Sequence, residues 1–407
     1  MNEEENPLKS LSQQASRMPK EQLFAIKNAD RRLFIGIPKE TSFQENRVAL
    51  TPSGVMVLTH NGHEVWVEKG AGVSAGFPDH DYSESGARIV ASAKEVFQAQ
   101  LVLKVEPPSM GEIQMMTRKS LLISALQLSI QPEDFLNKLI DKKITAIAWD
   151  YLRGADDSFP LVTAMGEIAG NTSVLIAAEY LSKMNNGLGA MLGGIPGVKP
   201  SEVVIIGAGS VGEYAARAAI GLGATVKVFD ENTYKLRRLQ NQIGQNLFTS
   251  VIQPDVLSEA LVTADVAIGA VRAPHGRTPC MVNDAMVQCM KKGSVIIDVS
   301  IDQGGCFETS EVTNHEFPVF EKYGVIHYCV PNIASRVSQT ASIALNNIFM
   351  PIMLNIGREA GVDNLIKQDQ GIRKGVYLYK GMLTNKFLSD TYNIPFKDLD
   401  LLISAMG

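Results

Sequence analysis

From residue 33 to residue 149 short apolar runs alternate with longer mixed segments: LFIGI at 33–37, HEVWVE at 63–68, LVLKV at 101–105, LLISAL at 121–126 and ITAIAW at 144–149. Runs of this length, rich in Val, Ile and Leu, predict strands. The segments between them predict helices from about Pro52 to Asn61, near Tyr82, and through Leu136 to Lys142. Alternation of this kind predicts a mostly parallel sheet covered by helices. A long helical stretch follows, from about Thr163 to Met184, and leads through the glycine-rich GLGAMLGGIPGVKP into a second series of apolar runs. These predict six strands, near 203–206, 225–229, 248–252, 264–271, 294–300 and 325–330. Ser338 to Arg358 is apolar at helix spacing, and the tail beyond it is too short for a core of its own. It is expected to pack back on the first unit.

The stretch from Val203 to Asp230, VVIIGAGSVGEYAARAAIGLGATVKVFD, joins a buried-strand pattern, a Gly-x-Gly-x-x-Gly turn, a small-residue helix, a second strand and an acidic end. Gly207 permits the tight turn, Gly209 the approach of a pyrophosphate, and Gly212 the close packing of helix on sheet. The pyrophosphate would meet the unpaired N–H groups of a helix N-terminus. Asp230 suits a ribose 2′-hydroxyl and repels a 2′-phosphate, which selects NAD. Lys235, Arg237 and Arg238 argue the other way and read as the solvated face of the next helix, although Lys235 stays in the candidate cofactor set with Ser210, Val211 and Val271. The fold class is thus expected to be α/β, with two Rossmann-like domains of mostly parallel sheets and a cleft between them. Residues 1–30 read as an N-terminal arm, 31–160 with 337–407 as a discontinuous substrate domain, and 161–336 as the NAD-binding domain.

Composition narrows the partners. The 407 residues carry 38 Lys and Arg against 43 Asp and Glu, a net charge of −5 that offers no basic field for nucleic acid. No apolar run reaches the roughly 18 residues that would cross a bilayer, so no membrane segment is expected. Cys280, Cys289, Cys306 and Cys329 lack metal-ligand spacing and read as reduced packing residues of a cytoplasmic protein. No metal is expected. Among the histidines, only His275, in VRAPHGR, falls in a candidate cleft loop.

GIPKE at 36–40, Asn46-Arg47-Val48-Ala49 with TPSG following, GHEV at 62–65, GAGSVG, DQGGCFE at 302–308 and YCVPN at 328–332 together resemble the alanine dehydrogenases. That family shares its fold with the nucleotide-binding subunit of proton-translocating transhydrogenase. The resemblance implies NAD-dependent, reversible conversion of L-alanine to pyruvate and ammonia, a small amino-acid or 2-oxo-acid substrate, and a homo-oligomer, commonly a hexamer. It implies that Arg47 holds the substrate carboxylate, a task suited to a planar two-pronged donor. It also implies that Asp302 orients water or ammonia near the nicotinamide, and that Asn332 stands beside that ring. Asp298 reads as a brace for the same loop.

Two positions depart from the family pattern. Where the family has Lys-Val-Lys-Glu-Pro, this chain has Lys104-Val105-Glu106-Pro107-Pro108, so Glu106 replaces a substrate-contacting lysine. Strand alternation places Lys104 and Glu106 on one face, and a Lys104–Glu106 pair is expected to relieve the misplaced charge. The family histidine falls on Gln127, which donates and accepts hydrogen bonds but does not titrate. Proton transfer then falls to Asp302, Glu106 or a water held by Gln127, with Lys104 as a further candidate. Gly166 and Ile333 replace a family serine and methionine. Two alternatives remain open: a dehydrogenase of another amino or imino acid, with Glu106 reading a cationic substrate group, and a non-catalytic NAD(H)-binding regulatory protein.

Overall fold

A computed structural model of the chain describes residues 32–127, 131–273 and 276–404. The N-terminal arm at 1–30 and His275 lie outside the described residues.

The first group of strands is β1 (Phe34–Ile37), β2 (Glu64–Glu68), β3 (Arg88–Val90), β4 (Leu101–Leu103), β5 (Leu121–Ser124) and β6 (Thr145–Ala148). The second is β7 (Glu202–Ile206), β8 (Thr225–Phe229), β9 (Phe248–Ser250), β10 (Val266–Gly269), β11 (Val295–Asp298), β12 (Val319–Lys322) and β13 (Val325–Tyr328). The chain then returns to the first group with β14 (Val376–Tyr379) and β15 (Met382–Leu383). These build an eight-stranded sheet of order β15-β14-β6-β5-β4-β1-β2-β3 and a seven-stranded sheet of order β12-β13-β11-β10-β7-β8-β9. All neighbours pair in parallel except β14 with β6 and β15, and β12 with β13. The molecule therefore has two Rossmann-like domains.

Alternation inside the strands explains why each sheet is buried on both faces. Ile35, Ile37, Leu101 and Leu103 enter one apolar cluster while Val102, Leu122 and Ala146 enter the cluster behind the sheet. In the second sheet Val203 and Ile205 face one cluster, and Val204 and Ile206 the other. A parallel sheet with helices on both sides needs this continuous apolar reading.

The second sheet holds one strand more than the six expected from the sequence. The addition, β12, is an edge strand whose side chains are only partly buried, so it lacks an apolar run. It reaches β13 through Tyr323 and Gly324, both at positive φ (57° and 78°), as a tight hairpin turn requires. The first sheet likewise gains β3, too short and too exposed to be seen as a pattern.

Four helices connect these sheets to the site: α1 (Pro52–His60), α2 (Pro160–Leu181), α3 (Ser210–Gly221) and α4 (Ser338–Arg358). α2 begins against the first domain's core at Leu161 and ends in the second domain's core at Val174, Ile176 and Ala177. By length and composition alone, the helical stretches Pro160–Leu181 and Ile333–Arg358 are long and apolar enough to cross a membrane, which does not contradict the expectation of no membrane segment. Half of each apolar window is buried inside the protein, and that packing accounts for their character.

In each sheet the strand order reverses at one place, between β1 and β4 and between β7 and β10. Loops leaving adjacent strands there part in opposite directions and open a crevice at the carboxyl ends, where ligands bind in open α/β sheets.

Candidate active site

The crevice of the second sheet carries the glycine turn. Gly207 has φ 113°, and a Cβ there would lie 2.4 Å from the carbonyl oxygen of Ala270. A Cβ on Gly212 would lie 1.9 Å from the carbonyl oxygen of Gly207. Gly209 differs, because its Cβ would meet nothing within 4 Å. The first and third glycines are thus demanded by packing within the turn, whereas the middle one leaves open space at the N-terminus of α3, beside Ser210 and Val211. That is the cradle a pyrophosphate needs. Gly166 and Gly170 of α2 let that helix lie tightly on α3; a Cβ on Gly170 would approach the Val211 carbonyl to 2.4 Å.

Asp230, at the end of β8, is buried and braces the turn. One oxygen accepts from Ala208 N at 2.7 Å and the other from Asn232 N at 2.8 Å. Lys235 Nζ stands 3.9 Å from the same carboxylate, and Arg238 donates to the Ala208 carbonyl at 3.3 Å. Lys235 and Arg238 therefore lie against the turn's rim, while Arg237 is exposed. Val271, beyond β10, donates its N–H to Ser300 Oγ at 2.9 Å.

The crevice of the first sheet holds Arg47. Its loop is fixed by backbone donors: Asn46 N to Ser335 Oγ, Val48 N to Ser342 Oγ and Thr51 N to Asn346 Oδ1, at 2.8, 2.9 and 3.2 Å. The last two acceptors lie on α4, far away in sequence. Glu45 grips one edge of the guanidinium with both carboxylate oxygens, accepting Nε at 2.8 Å and Nη2 at 2.5 Å. Nη2 also lies 3.2 Å from Glu106 Oε1, and Nη1 faces Met165 Sδ at 3.5 Å. Gln127, at φ 46°, donates its amide to the other Glu106 oxygen.

The expected Lys104–Glu106 pair does not form. Lys104 is fully buried, with Nζ 3.2 Å from Glu40 and 3.1 Å from Glu112. β4 ends at Leu103, so strand alternation no longer governs residues 104–106. Lys104 thus holds two carboxylates beneath the crevice instead of reaching its surface. Glu40 also accepts from Val105 N at 2.6 Å and so fixes the turn that presents Glu106.

The electrostatics follow from this crowding. Burial works against the charged form of Lys104, but Glu40 and Glu112 outweigh it and raise its pKa. Burial pushes Glu45 upward, yet Arg47 prevails and holds its carboxyl below the ordinary range. Glu106 goes the other way: burial, with the nearby Glu45 and Glu40 charges, overcomes Arg47 and pushes it up to about 8. The two carboxyls beside Arg47 divide into one ionised and one protonated near neutrality.

Asn332 joins the two crevices. Its backbone N–H donates to Asp302 Oδ1 at 2.8 Å and its side-chain amide to Glu45 Oε2 at 2.6 Å. Its own φ of 55° aims both donors, a conformation asparagine tolerates. Asp302 is open to solvent at the crevice wall yet crowded by protein, and desolvation raises its carboxyl against the opposing Asn332 hydrogen bond. Asp298 accepts from Ser300 N, Cys306 N, Phe307 N and Ser310 Oγ, and so braces the DQGGCFE loop.

Several participants escaped the sequence reading. Glu45 gave no signal beyond its charge, Glu40 was seen only as the end of the GIPKE motif, and Glu112 could have been found as the end of a Ser109-x-x-Glu112 capping box. Asp150 accepts from Leu126 N at 3.1 Å, next to Gln127, and burial pushes it up to about 6. Its place just after a buried strand was the available clue. Cys280 and Cys289 are exposed, contrary to the packing role assigned to all four cysteines; Cys306 and Cys329 are buried and all are free thiols. His327 is held by Thr309 and the Val325 carbonyl inside β13, at 2.8 and 2.9 Å, in a structural role.

The description "Alanine dehydrogenase/PNT, N-terminal domain" matches residues 36–169, and its C-terminal counterpart matches residues 173–386. An alanine dehydrogenase of Methanococcus maripaludis is 40% identical over 366 residues, covering 89% of this chain and 98% of its own length. Alanine dehydrogenase 2 of Staphylococcus aureus strain USA300 is 40% identical over 367 residues, covering 90% and 98%. Among solved structures, an L-alanine dehydrogenase superposes with a TM-score of 0.83 at 39% identity, covering 88% of this chain and 99% of that one. A transhydrogenase from Sinorhizobium meliloti shares the fold, with a TM-score of 0.75 at 24% identity over 86% and 99%.

Proposed function

Since the chain belongs to the alanine dehydrogenase/PNT family, we propose that it catalyses the reversible NAD-dependent oxidative deamination of L-alanine to pyruvate and ammonia. The observation that carries this reading is Asn332, which ties the Arg47–Glu45 pair to Asp302 across the two crevices. The dinucleotide, seated on Gly209, Ser210 and Asp230, supplies the hydride acceptor when bound.

The chain's own groups divide the remaining work. Arg47 offers the substrate carboxylate its Nη1 edge, the part of the guanidinium not taken by Glu45 or Glu106. A protonated Glu106 explains how that site tolerates an acid where the family has lysine, because the neutral form does not repel an incoming carboxylate. Gln127 fixes the Glu106 carboxyl by its amide. Asp302, open to water and beside Asn332, is placed to accept a proton from the substrate amine or an attacking water.

NADH formation from alanine by the purified protein tests the proposal, with Arg47→Ala and Asp302→Asn as controls. A second reading rests on charge: among the described residues, Glu40, Glu45, Glu106 and Glu112 are set against two cations, Arg47 and Lys104. An amino acid with an additional cationic group suits such a site. A panel of amino and 2-oxo acids decides between the two, and tight NADH binding without turnover across the panel would favour a non-catalytic role.

A further inference from the structure

We propose that the cavity at the opposite edge of the first sheet from Arg47 is a binding site for a small, multiply charged phosphoryl compound. Its volume is about 540 Å³, and its lining includes Leu33, Gln100, Ser120 and Thr145, which lie where β1, β4, β5 and β6 begin. Arg47, Glu106 and Gln127 follow the ends of the same strands. The cavity is thus separate from the reaction site by the length of the strands, roughly 13 Å for four residues.

Its chemistry is that of an anion site. Arg118, Lys119, Lys143 and Lys380 line it, with Asp363 as the acidic side chain among the lining residues. Asp363 is already engaged, by Lys380 Nζ at 2.7 Å and Tyr379 Oη at 3.0 Å. Among the described residues, Arg118, Lys119 and Lys143 have no ion-pair partner, so three cations converge without neutralisation. The charge of Arg118 is felt nearby: burial, and then Arg118, lower the pKa of Lys142.

One further feature marks this rim. Lys119, Lys143 and Lys380 occupy left-handed turns, at φ 63°, 56° and 52°. Glycine adopts that conformation more cheaply, yet a cationic side chain stands at all three positions on one rim. A phosphoryl group, with several charged acceptor oxygens, matches three unpaired cations.

Titration calorimetry with inorganic pyrophosphate on the full-length protein, saturated with NADH so that the dinucleotide site is filled, tests the assignment. One binding event is expected, weakened about tenfold or more by Arg118→Ala with Lys143→Ala, since charge-assisted hydrogen bonds of this kind contribute about 1.5–3 kcal/mol. NADH affinity should stay unchanged in all variants, which reports that they fold. No heat, or equal affinity in parent and variants, would overturn the site; citrate binding as tightly as pyrophosphate would overturn the phosphoryl assignment. The readout does not depend on alanine turnover, so it stands or falls separately from the proposed activity.

Discussion

The guanidinium of Arg47 lies 3.2 Å from the carboxyl of Glu106, inside a cluster where Glu45 already grips one edge of it. One cation therefore serves two acids, and the acid that loses the competition, Glu106, keeps its proton.

Glu106→Gln should alter stability in a pH-dependent way. The folded carboxyl, near 8, lies above its ordinary value of 4.5. Its contribution to stability is full below the lower value and is lost as pH rises through the upper one. The variant, which cannot ionise, should gain in thermal midpoint relative to the parent at about pH 9 and gain little at about pH 4. A gap of equal size at both pH values would show that Glu106 is ionised throughout.

Arg47→Ala should destabilise the protein as well as abolish alanine turnover. It leaves the ionised Glu45 buried without a counter-ion, a loss of about 3–5 kcal/mol. Urea unfolding measures it, and adding Glu45→Gln and Glu106→Gln to the variant should restore most of the stability without activity.

The glycine turn separates binding from folding. Gly209→Ala has room for its methyl and should fold with an unchanged thermal midpoint, yet lose NADH affinity by about tenfold or more, 1.4 kcal/mol, where the pyrophosphate must approach. Gly212→Ala should instead fail to fold stably, because its methyl overlaps the Gly207 carbonyl. NADH fluorescence titration beside circular dichroism melts distinguishes the two.

Asp302→Asn should reduce kcat for alanine by about 10²–10⁴-fold with NADH affinity retained, as expected for removal of a proton acceptor. The Asn332 contact can persist, since the amide oxygen still accepts. Collapse of cofactor binding along with turnover would instead make Asp302 a structural brace.

Gln127→His introduces a titratable group beside Glu106 and should raise alanine oxidation. Steady-state rates with alanine and NAD measure this, and unchanged or lower rates would count against equating Gln127 with the family's proton-transfer position.

The pattern of apolar runs and the Gly207–Gly212 turn determined the two-domain α/β architecture, because strand burial and backbone clearance are local demands written into residue type. The motifs around Arg47 and Asp302 likewise pointed to the family. The edge strand β12 escaped because its side chains are only half-buried and leave no apolar run. Tertiary structure alone decided the partners of charge. Lys104 and Glu106 are two residues apart, yet one turns to Glu40 and Glu112 and the other to Arg47 and Gln127, because the strand ends between them and the hydrogen bonds of Glu40 reshape the turn. Which acid keeps its proton depends on burial and on the distances among groups brought from separate loops, and neither quantity exists until the chain has folded.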